Sequence, residues 1–283
     1  MEVLEISEDN VEELIPLMGE DLAEDIFREF YRGYGAFDED GNPVGVYIYE
    51  LLGADNDEED VRSMLRFIRD DSSEAFGPMD EAYREDGVDE EEIVSTLYQF
   101  EDETIAKALE AQGFSRQEGE SILLTLQLKD LQDMEILTKV KKIPDYIVGL
   151  SEVSVRQYRA AVKNCLFNGV KGIMEDLGYL SMDWFDMEVS SCTITDGEVS
   201  GLFLVRAAPS GTISPMLLFA EGTDSVKNLA LMIARSVWKA QVKYPPETGI
   251  RIYRTRKQSA ALTSRLLPEF KGSRAFMGKR KEL

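Results

Sequence analysis

Two stretches of apolar residues, each folded back by an Asp-Gly turn, set the pattern of the chain. Residues 33–52 carry apolar runs on both sides of Asp40-Gly41-Asn42, and residues 190–206 repeat the arrangement around Asp196-Gly197. Glycine reaches positive φ at little cost, so an Asp-Gly pair between apolar strands favours a β-hairpin. The hairpins lie about half the chain apart, which predicts a tandem repeat.

In the rest of both halves, apolar residues at helical spacing predict several helices. The strongest such stretch has Leu229, Ile233 and Val237 at intervals of four, and Pro245-Pro246 ends it. Before it, residues 216–220 form a continuous apolar run, which is typical of a strand buried on both faces. Further helices are predicted near residues 11–18, 72–85, 103–112, 155–177 and 257–267, with a last strand at 270–278. The pattern predicts an α+β (mixed α/β) chain with lobes at residues 1–135 and 136–283.

The composition of the chain excludes several classes of protein and of catalytic site. The 283 residues are 43% hydrophobic, which is enough for a buried core, and no apolar run reaches the roughly 20 residues that cross a bilayer. The acidic N-terminus lacks the pattern of a secretion signal, so a cytoplasmic protein without membrane association is expected. Histidine is absent, which excludes Ser-His-Asp and Cys-His catalysis. Cys165 and Cys192 are predicted to be core residues, and no metal site is expected.

Charge is distributed unevenly along the chain. Residues 1–120 hold 37 acidic and 8 basic residues, whereas residues 121–283 hold 17 and 23, and the net charge is −23. Phosphates would be repelled by the first half, so no nucleic-acid partner is expected. Two interpretations remain: a solvated acidic surface, or an acidic cleft for a small cationic amine. The acidic cluster at residues 55–60 lacks the glycine and closing acid of a calcium loop and is interpreted as a solvated turn.

The order of elements in each half resembles the GCN5-related N-acetyltransferase (GNAT) fold, present twice. The residues that carry the resemblance are the two hairpins, the stretch 100–114 ending in Gly113-Phe114, and the strand–loop–helix at 216–237. The resemblance implies two GNAT-like lobes, each a mostly antiparallel mixed sheet flanked by helices. It also implies a monomer or a homodimer.

In the GNAT family, acetyl-CoA lies between two splayed parallel strands, and amides at the start of the following helix hold its pyrophosphate. Carried onto this chain, the resemblance implies cofactor contacts from Leu218, Phe219, Gly222, Thr223 and Ser225. The family's glycine-rich signature is missing from this loop and its carboxylates would repel pyrophosphate, so helix capping is favoured over cofactor binding as the role of Thr223, Asp224 and Ser225. In the first half the equivalent stretch, residues 69–77, is acidic. The position of the family's tyrosine acid is Leu109.

Two residues near the implied cleft carry suitable catalytic groups. Glu221 follows the central strand and is a candidate base for an amine, and Tyr253 is a second polar candidate. The implied activity is acyl-CoA-dependent N-acyl transfer, with acetyl-CoA as donor and an amine that attacks the thioester directly. The alternative is a non-catalytic tandem GNAT-like protein that binds a small ligand or a protein partner.

Overall fold

A computed structural model describes residues 1–53, 60–169 and 176–282. The chain forms two compact units, one from Met1–Ser121 together with Ser273–Leu283 and one from Ile122–Gly272. The predicted boundary near residue 135 divides the chain linearly, whereas the last strand of the chain belongs to the first unit. Hydrophobic periodicity indicates that a segment is a strand but not which sheet it joins.

The first unit is a seven-stranded mixed sheet in the order β1-β2-β3-β4-β5-β13-β6, antiparallel except for the β4–β5 pair. Its strands are β1 (Glu2–Glu5), β2 (Tyr31–Phe37), β3 (Pro43–Leu52), β4 (Arg62–Asp70), β5 (Ser95–Phe100), β6 (Gln117–Glu120) and β13 (Arg274–Lys281). Its helices are α1 (Val11–Met18), α2 (Glu20–Asp25), α3 (Phe76–Ala82) and α4 (Glu103–Ala111), and a π-helical turn, Tyr83–Val88, extends α3.

Both faces of this sheet are covered by helices because side chains alternate along each strand. In β3, Val46 and Ile48 pack in the cluster that contains α1, whereas Tyr47 and Tyr49 pack in the cluster that contains α3. All four side chains are buried. A central strand with apolar or aromatic residues on both faces thus explains the continuous hydrophobic run after the first turn.

The second unit is a six-stranded sheet in the order β7-β12-β11-β10-β9-β8, with β11 and β12 parallel and the other pairs antiparallel. Its strands are β7 (Leu123–Gln127), β8 (Ile147–Gly149), β9 (Ser191–Thr195), β10 (Glu198–Ala207), β11 (Ile213–Ala220) and β12 (Gly249–Tyr253). Its helices are α5 (Glu135–Lys139), α6 (Val155–Phe167), α7 (Ser225–Lys243) and α8 (Lys257–Leu266). The α+β class and the two mostly antiparallel mixed sheets predicted from the sequence are confirmed.

The two predicted hairpins are confirmed as β2–β3 and β9–β10, and Gly41 and Gly197 have the positive φ that their turns require. The predicted helix at 72–85 begins later, at Phe76, because Asp70 and Ser72 hold the preceding loop. The predicted helix at 155–177 ends at Phe167, and its stretch 170–175 lies outside the described residues, as does most of the acidic cluster at 55–60. The short strand β8 was not predicted.

Candidate functional site

The two parallel strands of the second unit diverge. β11 and β12 pair at Ile213 and Ile250, near the start of both strands. Beyond that pair, residues of both strands, among them Leu218 and Tyr253, line one cavity of about 620 Å³. The corresponding strands of the first unit, β4 and β5, stay paired over four residues of each, from Arg62–Ser95 to Leu65–Tyr98. The second sheet thus opens into a wedge after one residue pair, whereas the first stays paired for four.

The cavity lies among β10, β11, β12, α7 and α8 and is lined mainly by aliphatic side chains. Helix α7 contributes Leu229, Ile233, Val237 and Ala240. The helical spacing of these residues puts them on one face. Polar residues come chiefly from the end of β12 and the first half of α8, where Tyr253, Thr255, Arg256, Gln258 and Ser259 line the cavity. This volume is within the range of small-molecule sites.

The N-cap residue of α7 does not cap the helix with its side chain. Asp224 makes no side-chain hydrogen bond to the helix, while the amide of Ser225 donates to the carbonyl of Gly222, which has φ +84°, at 3.2 Å. Thr223 and Asp224 are exposed and Ser225 is half-buried. A 19-residue helix has a positive dipole end and unpaired N–H groups at this point, which favour phosphate. The nearby carboxylates Glu221 and Asp224 oppose this attraction.

In the equivalent loop of the first unit, side chains of the loop accept hydrogen bonds from its own backbone amides. Asp70 accepts hydrogen bonds from the backbone N–H groups of Ser72 and Phe76, both at 3.0 Å. The Ser72 hydroxyl accepts from the amides of Glu74 and Ala75 at 3.1 and 3.0 Å. Because four donors at the start of α3 already have acceptors and a carboxylate lies among them, this loop is unsuited to bind a pyrophosphate.

A tyrosine bridges the two parallel strands of the first unit. The Tyr83 hydroxyl lies 2.6 Å from the Ser63 hydroxyl on β4 and 2.6 Å from the Thr96 hydroxyl on β5, and all three residues are fully buried. Burial raises the pKa of Tyr83 to about 12, although the two hydrogen bonds oppose the shift. The phenol thus stays neutral at physiological pH and links the two strands through their paired residues Ser63 and Thr96.

The seven site residues predicted from the sequence are distributed unevenly around this wedge. Leu218 and Tyr253 line the cavity. Phe219 packs in the cluster that contains α6, on the other face of β11. Gly222, Thr223 and Ser225 lie at the start of α7 but do not line the cavity.

Glu221 is also outside the cavity lining. Its amide donates to the Ser200 carbonyl of β10 at 3.0 Å, and its carboxylate accepts from Asn164 of α6 at 2.8 Å. Cys165, next to Asn164, is fully buried. Burial, together with the nearby charge of Glu221, raises the pKa of the Cys165 thiol to about 12. Cys165 is therefore a neutral core thiol and not a thiolate nucleophile.

Several residues of the cavity were not predicted from the sequence. Ser259 lies at the start of α8, where its hydroxyl accepts from the Arg256 amide at 3.1 Å. Leu128, Leu131 and Met134 come from the segment after β7, where the sequence pattern is ambiguous between connector and core. A signal for them existed: three large apolar residues at intervals of three are typical of a buried helical turn, and Leu128–Leu131 is a 3₁₀ turn.

No protein-family model matches the sequence, and no curated protein matches it. Solved structures do match its fold. A tandem GNAT protein from the clavulanic acid biosynthesis pathway is 12% identical with a TM-score of 0.64, covering 100% of this chain and 99% of that one. A GCN5-related N-acetyltransferase from Sphaerobacter thermophilus is 10% identical with a TM-score of 0.52, covering 99% of this chain and 96% of that one.

A third match is the GCN5-related glucosamine N-acetyltransferase region of a fungal multi-domain β-N-acetylglucosaminidase. It is 12% identical with a TM-score of 0.58 and covers 99% of this chain, which spans 38% of that protein. At these identities the likeness shows the fold, which is the tandem GNAT fold predicted from the sequence. The described residues contain no group of three or more metal-ligating side chains, and none of their helices is long and apolar enough to cross a membrane.

Proposed function

We propose that this protein is an acyl-CoA-dependent N-acyltransferase in which the second unit binds the acyl-CoA. The observation that carries the proposal is the wedge between β11 and β12, which opens toward the uncapped start of α7. In this proposal the amides at the start of α7 and the guanidinium of Arg256 hold phosphate groups, the pantetheine arm lies between the start of α7 and the cavity entrance, and the apolar walls hold the acyl group. The first unit, with its capped loop and its bridging Tyr83, has a structural role.

The proposed reaction is direct transfer. The nitrogen of a neutral amine attacks the thioester carbonyl carbon, a C–N bond forms, and the C–S bond breaks. The amine gives up a proton to a base or to water, and the CoA thiolate takes up a proton. Such a step depends on positioning and on N–H groups that polarise the carbonyl, so it requires no histidine. The proposed acceptor is a small cationic amine, which must lose its proton before attack, and the proposed compartment is the cytoplasm.

Glu221 and Tyr253 are the candidate residues for proton transfer. Tyr253 is better placed, since it lines the cavity, whereas Glu221 lies outside the lining and one of its carboxylate oxygens accepts a hydrogen bond from Asn164. We expect Tyr253→Phe to lower kcat by about 10²-fold with little change in KM, a value typical of a lost general acid. Glu198→Gln, which removes an exposed carboxylate of β10, is the control and should leave kcat unchanged.

Binding is tested by thermal melting with and without millimolar acetyl-CoA, because a ligand that binds the native state raises its apparent stability. We expect a clear rise in Tm. Leu229→Trp, which places a large ring in the cavity, should abolish the rise. Val242→Trp, on the exposed face of the same helix, should preserve it. A rise that survives Leu229→Trp would contradict the assignment of the site to this cavity.

The position of Glu221 favours a second candidate function, a non-catalytic tandem GNAT-like protein that binds a ligand in the same cavity. To distinguish the enzyme from the non-catalytic binder, the protein is incubated with an acyl-CoA that it binds and with a panel of amines, and the release of free CoA thiol is measured. Binding without release of thiol would support the second.

A further inference from the structure

The cavity of the second unit is long. Its lining on α7 begins at Leu229 and continues to Ala240, eleven residues further on. At 1.5 Å per residue this is about 16 Å along the helix axis. The strand pair Ile213–Ile250 lines the same cavity, and β12 follows closely on the end of α7, so the deep end lies near Ala240. A two-carbon acetyl group fills only a small part of this length.

The deep end is apolar. Leu128, Leu131 and Met134 form one wall, and Phe203 and Val205 of β10 form another. All five side chains are buried. The polar residue from α7 is Ser236, whose hydroxyl already has a partner, the Ser191 hydroxyl at 2.7 Å. The deep end therefore favours hydrocarbon and offers no site for a charged group.

The charged residue of the lining and most of its polar residues lie at the other end. Tyr253, Arg256 and Gln258 lie on β12 and α8, beyond the point where the strands diverge. A ligand that fits this division has a polar, anionic part and an apolar tail. An unfilled apolar cavity destabilises a protein in proportion to its volume, so an apolar occupant should stabilise this fold.

We propose that the acyl group of the acyl-CoA is a fatty acyl chain of roughly eight to twelve carbons, with its tail in the deep end of the cavity. An extended chain advances about 1.3 Å per bond, since three bonds span 3.8 Å between successive Cα atoms, so 16 Å accommodates about twelve bonds. This inference rests on the proposed function and specifies its donor. The bond changes are those of the transfer above, with a fatty acyl amide and free CoA as products.

The test is a series of equilibrium titrations of the full chain with CoA, acetyl-CoA, hexanoyl-CoA, octanoyl-CoA and dodecanoyl-CoA. Each buried methylene should raise the affinity by up to about fourfold, so octanoyl-CoA, with two more methylenes than hexanoyl-CoA and six more than acetyl-CoA, should bind up to about sixteenfold more tightly than hexanoyl-CoA and at least about tenfold more tightly than acetyl-CoA. Equal affinities for acetyl-CoA and octanoyl-CoA would overturn the chain-length inference and leave the proposed function standing. Failure of every acyl-CoA to bind would overturn both.

Cavity-filling variants locate the tail. Ala240→Phe places a ring in the deep end, and we expect it to lower the affinity for octanoyl-CoA at least tenfold while acetyl-CoA binds as before. Val242→Phe is the matched control on the exposed face of α7 and should change neither affinity. An Ala240→Phe protein that melts cooperatively and binds octanoyl-CoA like the wild type would refute the assignment. If Ala240→Phe fails to fold, Val237→Phe tests the same wall of the cavity. The titrations with acyl-CoAs of different chain length use the wild-type protein and therefore test the inference without any variant.

Discussion

The guanidinium of Arg280 donates hydrogen bonds to both carboxylate oxygens of Asp80, at 3.1 and 2.8 Å, across 200 positions of sequence. Both side chains are almost fully buried, with exposed fractions of 7% and 2%. Burial alone would lower the pKa of Arg280, but its bonds to Asp80 and Glu282 raise it above its usual value. The pair fixes the last strand of the chain in the sheet of the first unit.

Removal of one partner should therefore unfold the first unit more easily. Arg280→Ala leaves the Asp80 carboxylate buried without its main counter-charge, and we expect a loss of about 3–5 kcal/mol in the free energy of unfolding. Urea denaturation measures this loss. The control is Arg274→Ala on the same strand, whose partner Glu118 is exposed, and its loss should be much smaller. Equal losses for the two variants would show that the buried pair does not anchor β13.

The same strand passes very close to the loop after α4. A Cβ atom at Gly278 would lie 1.7 Å from the Ser115 carbonyl oxygen, which is backbone and cannot move aside cheaply. Gly278→Ala should cost at least about 1–3 kcal/mol through overpacking, measured by thermal or urea unfolding. Gly77→Ala in α3 is the control, since a Cβ there meets nothing within 4 Å and should be neutral or stabilising. A stable Gly278→Ala protein would contradict the register of β13.

The capped loop of the first unit should matter for folding and not for ligand binding. Asp70→Ala removes the acceptor for the amides of Ser72 and Phe76, and we expect a loss of about 1–2 kcal/mol, as for other helix N-caps. The affinity for acetyl-CoA should not change. Glu74→Ala, an exposed carboxylate in the same loop, should leave the Tm unchanged. Tighter or weaker acyl-CoA binding in Asp70→Ala would indicate that the first unit takes part in the site.

Asp186 makes the stability of the second unit depend on pH. Burial alone would raise its pKa, but hydrogen bonds from Tyr244, from Lys243 at 2.9 Å and from the backbone amide of Val189 lower it. A folded-state pKa below the unfolded value means that the carboxylate stabilises the fold fully above the unfolded pKa of about 3.9 and loses this effect as pH falls further.

Asp186→Asn should therefore lower the free energy of unfolding at pH 7, and the difference from wild type should shrink below about pH 4. Urea denaturation at pH 7, 5 and 3.5 measures it. Glu188→Gln, which is exposed and 3.9 Å from Lys243, is the control and should show a small difference at every pH. A constant deficit for Asp186→Asn across the series would contradict the electrostatic explanation.

Both thiols should be inert in the native protein. Cys165 and Cys192 are fully buried, and burial raises the pKa of each to about 12. A disulfide reagent at pH 8 should label neither without denaturant and both in denaturant. Leu166→Cys, at an exposed position beside Cys165, supplies the positive control and should react within the mixing time. Rapid labelling of the wild type would show that one of the cores opens readily.

Local pattern alone determined much of this chain. The Asp-Gly turns specified both hairpins because glycine at positive φ fixes the turn. Apolar residues at every fourth position after Ser225 specified α7 because they form one apolar face of that helix. The burial of both cysteines was likewise predicted from the segments around them, and the absence of histidine follows from the composition alone. The order of these elements was enough to predict two α+β lobes and the tandem GNAT fold.

Tertiary structure decided the rest, because it depends on which distant residues meet. Arg280 lies between two lysines near the end of the chain, yet it is buried against Asp80, which is 200 positions away, so no local pattern reveals this contact. Likewise, β4 and β5 stay paired over four residues of each strand while β11 and β12 pair only at Ile213 and Ile250, and periodicity treats all four as ordinary buried strands. Pairing between distant residues, and the space left where strands diverge, exist only in the folded chain.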